Sequence, residues 1–251
     1  MRAFRIEGDW SFEHLREVEL PDPPPPGPGE VTVRLRAASL NYRDLLVPLR
    51  GYGRGTGELP LIPLSDGAGE VVAVGEGVSR VAVGDRVCPL FFQDWDGGEP
   101  SAAAFATSLG GPIDGVMAEL RSFPERGVAK VPAHLSDAEA ATLPCAALTA
   151  WSAVAGGGPG GGGVRPGDKV LVQGTGGVAL FALAFAKLFG AEVTVISSSD
   201  AKLAEAKALG ADHGLNYVET EDWARASRGI TAARGGYDLI VELGGEKTLP
   251  L

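Results

Sequence analysis

The sequence predicts an α/β protein in two parts: a β-rich N-terminal domain over residues 1–132 and a parallel sheet with covering helices over residues 133–251. Three observations predict it. Short Val-rich runs broken by Gly and Pro fill the first part. The hydrophobic period becomes helical after Ser136. From Pro166 onward, strand-like and helix-like segments alternate.

In the first part, Val31 to Arg36 alternates apolar and basic residues, the period of a half-buried strand. Pro23 to Pro28 is a turn-rich spacer. Gly69 to Gly75 and Val81 to Val87 are β-branched runs punctuated by glycine, as in short strands of a small barrel or sandwich. Ser136 followed by Glu139 is a capping-box pattern opening an Ala-rich helix, and a second helix is expected from Ala146 to about Val154. The run from Gly156 to Gly163 has almost no side chains to pack and reads as a flexible surface loop.

In the second part, Lys169–Gln173 is a short apolar strand, Gly177–Phe189 a helix and Glu192–Ile196 the next strand. Asp200 is placed to cap a helix over Ala201–Leu209 that ends at Gly210. His213–Tyr217, Asp222–Arg228 and Tyr237–Leu243 complete the pattern as strand, helix and strand. Strands joined by helices in this way form a parallel sheet.

Composition narrows the function. The chain has 251 residues, 45% of them hydrophobic and 22% charged, so disorder along its whole length is excluded. A net charge of −10 repels a phosphate backbone and argues against nucleic acid as a partner. Cys88 and Cys145 are the only cysteines, too few for a disulfide scaffold or a four-cysteine zinc site. The N-terminus lacks a signal-like apolar run. The longest apolar stretch, Val178 to Phe189, carries Lys187 and is too short for a bilayer. A cytoplasmic, soluble protein is the expectation.

The strongest chemical signal is Val170 to Ala179, which fits G-x-G-x-x-G/A through Gly174, Gly176 and Ala179. It lies between a strand and a helix, the context the pattern needs. Gly174 permits the tight turn, Gly176 lets the backbone approach a pyrophosphate, and Ala179 lets helix and strand pack closely. The amides at the helix start, around Thr175, Gly177 and Val178, face the dianion. The expectation is a dinucleotide site in a Rossmann-type sheet.

The second strand selects the dinucleotide. NAD sites place an acid at its end for the ribose 2′-hydroxyl. Here the strand ends Ser197-Ser198-Ser199, with no carboxylate before Asp200 and with Lys202 just beyond. Hydroxyls and a cation suit a 2′-phosphate, so NADP(H) is the expected cofactor. In the alternative, the serines only cap the next helix and Lys202 is solvated.

Several further segments carry a family resemblance. They are Ala38–Asp44 (ASLNYRD), Pro63–Val71 (PLSDGAGEV), Val83–Val87 (VGDRV), Thr142–Ala150 (TLPCAALTA), and Ala208–His213 with Asn216-Tyr217. In order and spacing the chain resembles the medium-chain dehydrogenases/reductases, in the zinc-free branch that includes the quinone oxidoreductases. The resemblance implies a GroES-like N-terminal domain and a Rossmann domain. It places Asn41, Ser65 and Cys145 where zinc-dependent relatives supply Cys, His and Cys. Only the last is a good zinc ligand, and the structural-zinc cysteines are missing between Pro89 and Gly115, so no metal is expected. It implies hydride transfer from NADPH to a small enone, quinone or aldehyde. Asn41 and Tyr42 are then the catalytic-site residues, Thr149 lies near the nicotinamide, and Ser197, Lys202 and Tyr217 hold the adenosine phosphate. Asp44 and Asp66 are either a paired acid or structural acceptors. His14, His134 and His213 have no partner evident in the sequence.

The sheet is expected to be incomplete, because the chain stops after the fourth of six strands; by the family pattern it is a truncated relative or a fragment. Expected partners are a small carbonyl or quinone substrate, without nucleic acid or membrane, and a homodimer is the candidate assembly. The rival functions are a zinc-type alcohol dehydrogenase and a truncated nucleotide-binding protein with little turnover.

Overall fold

The computed structural model describes residues 1–95, 97–156, 162–231 and 235–245. The chain divides into two compact units, Met1–Cys145 and Ala146–Leu251.

The first unit begins with a hairpin of β1 (Arg2–Ile6) and β2 (Leu15–Glu19). Then come β3 (Glu30–Ser39), the single-turn helix α1 (Arg43–Leu46), β4 (Asp66–Val74), β5 (Arg86–Pro89) and α2 (Ala102–Phe105). The elements β6 (Leu120–Pro124), β7 (Val128–Lys130) and α3 (Asp137–Ala140) complete it. Five strands form one antiparallel sheet in the order β6-β3-β4-β5-β7. Val31, Val33, Val71, Val87, Leu109, Val116 and Phe123 form its core. The alternation read in Val31–Arg36 holds only from Val33 onward, because Thr32 is buried along with Val31 and Val33, and β3 extends on both sides of the run, to ten residues. Register shifts between Thr32 and Val33 and between Leu35 and Ala37 bend the β3–β4 pair. Gly69 permits that close pairing, because a side chain there would collide with the Arg34 carbonyl.

Val81–Val83 is not part of a strand. Its turn is tied by the Asp85 carboxylate, which accepts from the Ala82 amide at 2.8 Å. Ser136 does form the capping box with Glu139, yet the helix it opens lasts only four residues. Leu143–Ala147 follows as a π-helical turn containing Pro144, whose missing N–H cannot continue an α-helical ladder.

The second unit contains α4 (Leu148–Ala155), β8 (Lys169–Gln173), α5 (Gly177–Leu188), β9 (Glu192–Ser197), α6 (Asp200–Ala208), β10 (His213–Asn216), α7 (Trp223–Ile230) and β11 (Leu239–Val241). Its sheet is parallel, in the order β10-β9-β8-β11. In sequence order that is 3-2-1-4, the first four strands of the doubly wound arrangement. Val170, Val172, Val193 and Val195 pack against Ala179, Ala182, Leu183 and Ala186 of α5. Residues 157–161 of the glycine run and 246–251 at the chain's end lie outside the described residues. Among the described residues, no helix is long and apolar enough to cross a membrane.

Two sequence expectations are corrected here. The cap of α6 is Ser199, with Asp200 as the first helical residue; the Ser199 hydroxyl accepts from the Lys202 amide. Both residue types cap helices well, and a carboxylate in the first turn suits the helix dipole. His213 does have a partner: its Nε2 meets Glu192 Oε1 at 2.9 Å, and Glu192 also pairs with Lys169. His14 likewise meets the Ser11 hydroxyl at 2.9 Å.

Asp212 ties α5 to β9. Its Oδ2 accepts from the Val193 amide at 2.7 Å and pairs with Lys187 Nζ at 2.7 Å. Burial pushes its pKa up, but the Lys187 and Val193 bonds outweigh this and hold it below the usual carboxylate value. A lowered folded-state pKa gives stability that is present above the unfolded pKa and lost as pH falls through the folded one. Asp212→Asn should therefore cost about 1 kcal/mol near pH 7, a value already reduced for a pair about one-third exposed. Thermal unfolding should show a drop in Tm of about 2–4 °C. The difference from wild type should shrink as pH falls from the unfolded pKa of Asp212 through its lowered folded one. A difference that stays constant as the medium is acidified would remove the ion pair as its cause.

Candidate functional site

In the second unit, the carboxyl ends of β8, β9 and β10 lie side by side, because the sheet is parallel and in register there. Such an edge gathers Gly174 to Val178, Ser197 and Tyr217 from three separate stretches of chain. Gly174 has φ +97°, a left-handed conformation that favours glycine, and its amide donates to the Ile196 carbonyl at 2.8 Å. Gly176 caps α5 with an extended backbone and no side-chain hydrogen bond. The amides of Gly177, Val178 and Ala179 follow at the first helical positions, where no intrahelical acceptor exists. Ala179 is buried in the core, as close packing between helix and strand requires.

Gly176 is informative by what its absent side chain would touch. A Cβ there would meet nothing within 4 Å. The protein's own packing does not demand glycine at this position; open space lies before the backbone. That is the arrangement a pyrophosphate needs for close approach, so the residues present fit a dinucleotide.

Around this turn, Ser197 is 3% exposed and its hydroxyl lies 3.3 Å from that of Thr175. Ser198 is exposed, and Lys202 is exposed with no hydrogen bond or ion pair from its ammonium among the described residues. Asp200 Oδ1 accepts from Asn216 Nδ2 at 2.9 Å. Tyr217 donates its amide to the Ser197 carbonyl at 3.1 Å, and its ring packs against the cluster of Leu171, Ile196 and Trp223. Thr149 is exposed on α4, just after a turn in which Ala146 lies near Gly177. The Thr175–Ser197 pair went unnoticed in the sequence; its only signal is that both residues sit at strand ends that a parallel sheet makes adjacent.

In the first unit, Asn41 and Tyr42 occupy the link from β3 to α1. Tyr42 is 76% exposed. The Asn41 amide donates to Asp44 Oδ2 at 2.7 Å. Asp66, fully buried, accepts from Ser65 Oγ at 2.5 Å and from the Cys145 amide at 2.9 Å. Asn41 Nδ2 is buried without a hydrogen bond of good geometry, yet its side chain lies near enough to Asp66 to favour the carboxylate. Asn41, Ser65, Asp66 and Cys145 are thus brought together. Burial raises the pKa of both Asp44 and Asp66, against the opposing effect of their hydrogen bonds and of Arg43. Leu64, just before Ser65, has φ +70°, a strained setting for a branched side chain. Its carbonyl accepts from Val116, and Gly110 and Gly115 crowd its backbone and hold it there. Backbone strain over-determined in this way accompanies functional sites.

A zinc ion does not suit this donor set. Ser65 donates its proton to Asp66, and the Asn41 amide nitrogen has no lone pair to offer a metal. Among the described residues, no group of three or more His, Cys, Asp or Glu is arranged to hold one. Cys88 is a buried thiol on the Ala140 carbonyl, and desolvation pushes its pKa to about 12.

Comparison with known proteins agrees with this architecture. Residues 27–133 match the alcohol dehydrogenase GroES-like domain family, and residues 177–251 match the zinc-binding dehydrogenase family. A zinc-type alcohol dehydrogenase-like protein of Schizosaccharomyces pombe is 46% identical over 96% of this chain and 68% of its own length. The crystal structure of a putative alcohol dehydrogenase from Sinorhizobium meliloti superposes with a TM-score of 0.88 at 44% identity, over 98% of this chain and 70% of that one. A quinone oxidoreductase of Pseudomonas syringae superposes with a TM-score of 0.73 at 30% identity, over 92% of this chain and 63% of that one. The chain thus spans roughly two thirds of the length of the proteins it resembles. With sheet order, matched families and shared sequence in agreement, the chain belongs to the medium-chain dehydrogenase/reductase superfamily of oxidoreductases.

Proposed function

We propose that the chain carries an NADP(H)-dependent, zinc-independent reductase activity toward small enones, quinones or aldehydes. Residues 1–132 form its substrate-side domain and residues 133–251 its cofactor domain. The observation that carries this reading is the open turn at Gly174–Val178 beside a second strand that ends in hydroxyls. The acid nearest that strand end, Asp200, is engaged by Asn216 and sits on α6 rather than on the strand. Exposed Lys202, whose backbone amide donates to the Ser199 hydroxyl at the start of α6, supplies local positive charge.

When bound, the nicotinamide supplies the hydride. The chain's residues do the rest. Amides of residues 175–178 hold the pyrophosphate. Ser197, Lys202 and Tyr217 hold the 2′-phosphate, and Thr149 packs near the nicotinamide. The Asn41 side-chain donor, unsatisfied within the protein, serves ribose or substrate. Tyr42, exposed to solvent, supplies a proton or walls the pocket.

Fluorescence titration with NADPH and NADH, followed by turnover screens with quinones and enones, tests the reading. Three outcomes are expected. Gly176→Val should abolish nucleotide binding while leaving the fold intact, because a side chain there fills only empty space in the protein; unchanged NADPH affinity would remove the basis of the cofactor argument. Lys202→Ala should weaken NADPH binding about tenfold or more, the worth of one charge-assisted hydrogen bond. NADH binding should barely change. Equal losses for both cofactors would assign Lys202 to the pyrophosphate or the fold, and a wild-type preference for NADH would refute the assignment.

The third outcome concerns metal. Several relatives carry zinc in their names, and the matched zinc-binding dehydrogenase segment, residues 177–251, contains neither Cys88 nor Cys145. Purified protein should hold well under one zinc per chain, and chelators should leave turnover and melting unaltered. Stoichiometric zinc on Cys145 would restore the alcohol dehydrogenase alternative.

A further inference from the structure

The sequence pattern singles out Asn41, Tyr42 and Asp44, and passes over the residue between them. Arg43 is the best-anchored side chain of that segment, 11% exposed. Its Nη1 donates to the Leu109 carbonyl at 2.9 Å and its Nη2 to the Gly111 carbonyl at 3.1 Å. Its guanidinium carbon lies 4.8 Å from the centre of the Phe91 ring. Asp44 Oδ1 is 3.9 Å from Nη1. A planar fork thus reaches two carbonyls in a turn more than sixty residues away while stacking on an aromatic face, a combination that suits Arg and not Lys.

The segment needs such an anchor. α1 is a single turn, too short to be stable by itself, and Tyr42 at its start offers no side-chain cap. Tyr42 is mostly in solvent and so contributes little to holding the link. On the other side, the Leu109–Gly111 turn is firmly built. Leu109 is 1% exposed, the Ser108 hydroxyl donates to the Gly111 carbonyl at 2.6 Å, and the Gly111 amide donates to the Ile113 carbonyl at 3.1 Å. Val47, fully buried, follows α1 and lies near Gly111.

We infer that Arg43 is a positioning residue: it clamps α1 to the Leu109–Gly111 turn and thereby sets the place of Asn41 and Tyr42. The transmission is short. Asn41 donates its amide to Asp44, the next residue after Arg43, and the Asp44 and Leu45 amides donate back to the Asn41 and Tyr42 carbonyls at 3.0 and 3.1 Å. Residues 41–45 therefore move as one small body, and the Arg43 fork is its tether. Arg43 also favours the charged forms of both buried carboxylates, Asp44 and Asp66, against the desolvation that raises their pKa values. The consequence for turnover rests on the proposed role of Asn41 and Tyr42; the clamp itself does not.

Hydrogen–deuterium exchange of the whole chain tests the clamp directly. In Arg43→Ala, amides of residues 39–47 and 106–114 should lose protection together, by about tenfold or more, while β3 and β4 keep theirs. Guanidinium chloride at about 10–20 mM, far below denaturing levels, should restore both segments. Arg43→Lys should give a smaller loss in the same two segments, and it decides the question if the alanine variant loses protection throughout. Wild-type protection of residues 39–47 in both variants, or a loss spread evenly over the unit, overturns the inference. In parallel, kcat/KM with 1,4-benzoquinone and 2-cyclohexenone should fall about ten- to a hundredfold in Arg43→Ala. Guanidinium should recover it. Undiminished turnover in Asn41→Ala would sink the catalytic reading of Asn41 and leave the clamp to be judged by exchange alone.

Discussion

The helix that opens at Gly177 begins, at an exposed turn, with amides that no side chain accepts. A helix start needs acceptors for its first amides, and the usual remedy is Ser, Thr, Asp or Asn at the cap. The other two long helices of the unit with a polar N-cap use that remedy, through Ser199 and Asp222. α5 instead has Gly176, whose extended backbone leaves its amides facing open space. Every neighbouring feature is compatible with keeping that space open. Gly174 turns the chain sharply at the strand's end, and Ala179 and Ala182 seat the helix close to the sheet. An anion is the natural occupant, because it satisfies several amides at once and interacts favourably with the helix dipole.

The first unit solves a different problem: holding charged groups out of water. Asp66 is fully buried and Asp44 nearly so, and desolvation alone would neutralise them. Asp66 accepts from Ser65 Oγ and the Cys145 amide, and Asp44 Oδ2 accepts from the Asn41 amide, while Asp44 Oδ1 has no hydrogen bond and lies 3.9 Å from Arg43 Nη1. A buried network of this kind specifies one arrangement of the chain, since removing a donor leaves an acceptor exposed to the full desolvation penalty.

Much of this was legible in the sequence, for an identifiable reason. The parallel sheet declares itself through local signals: β-branched strands, a glycine turn and a polar cap recur in chain order. The glycine turn at 174–176 needed no partner from elsewhere to be recognised. Element ends were less legible. β11 spans Leu239–Val241 rather than Tyr237–Leu243, and the Tyr237 hydroxyl donates to the Ser227 carbonyl. The first helix after Ser136 ends early where Pro144 interrupts it. The side-chain network around Asn41 was the least legible of all. Arg43 finds its acceptors at Leu109 and Gly111, and Asp66 finds a donor in the Cys145 amide, all far along the chain. No periodicity or short-range spacing encodes such pairings. The same holds for His213, whose partner Glu192 lies on the neighbouring strand and is visible only once the strand order is known.

An acidic chain that binds an anionic cofactor poses an electrostatic question, and distance answers it. The net charge is −10. At physiological ionic strength the screening length is about 8 Å, so carboxylates beyond that range contribute little to the potential at the α5 start. What counts is the set of groups within one screening length. Asp200 is the nearest candidate for repulsion, and its first-turn position with a bond to Asn216 Nδ2 draws its charge toward α6 and β10. In the proposed site the amides of α5, the hydroxyls of Thr175 and Ser197 and the Lys202 ammonium are the local donors, and a donor at contact counts for far more than a remote charge. Global charge thus governs solubility and encounter, while local donors govern whether a phosphate stays, and the two can carry opposite signs without conflict.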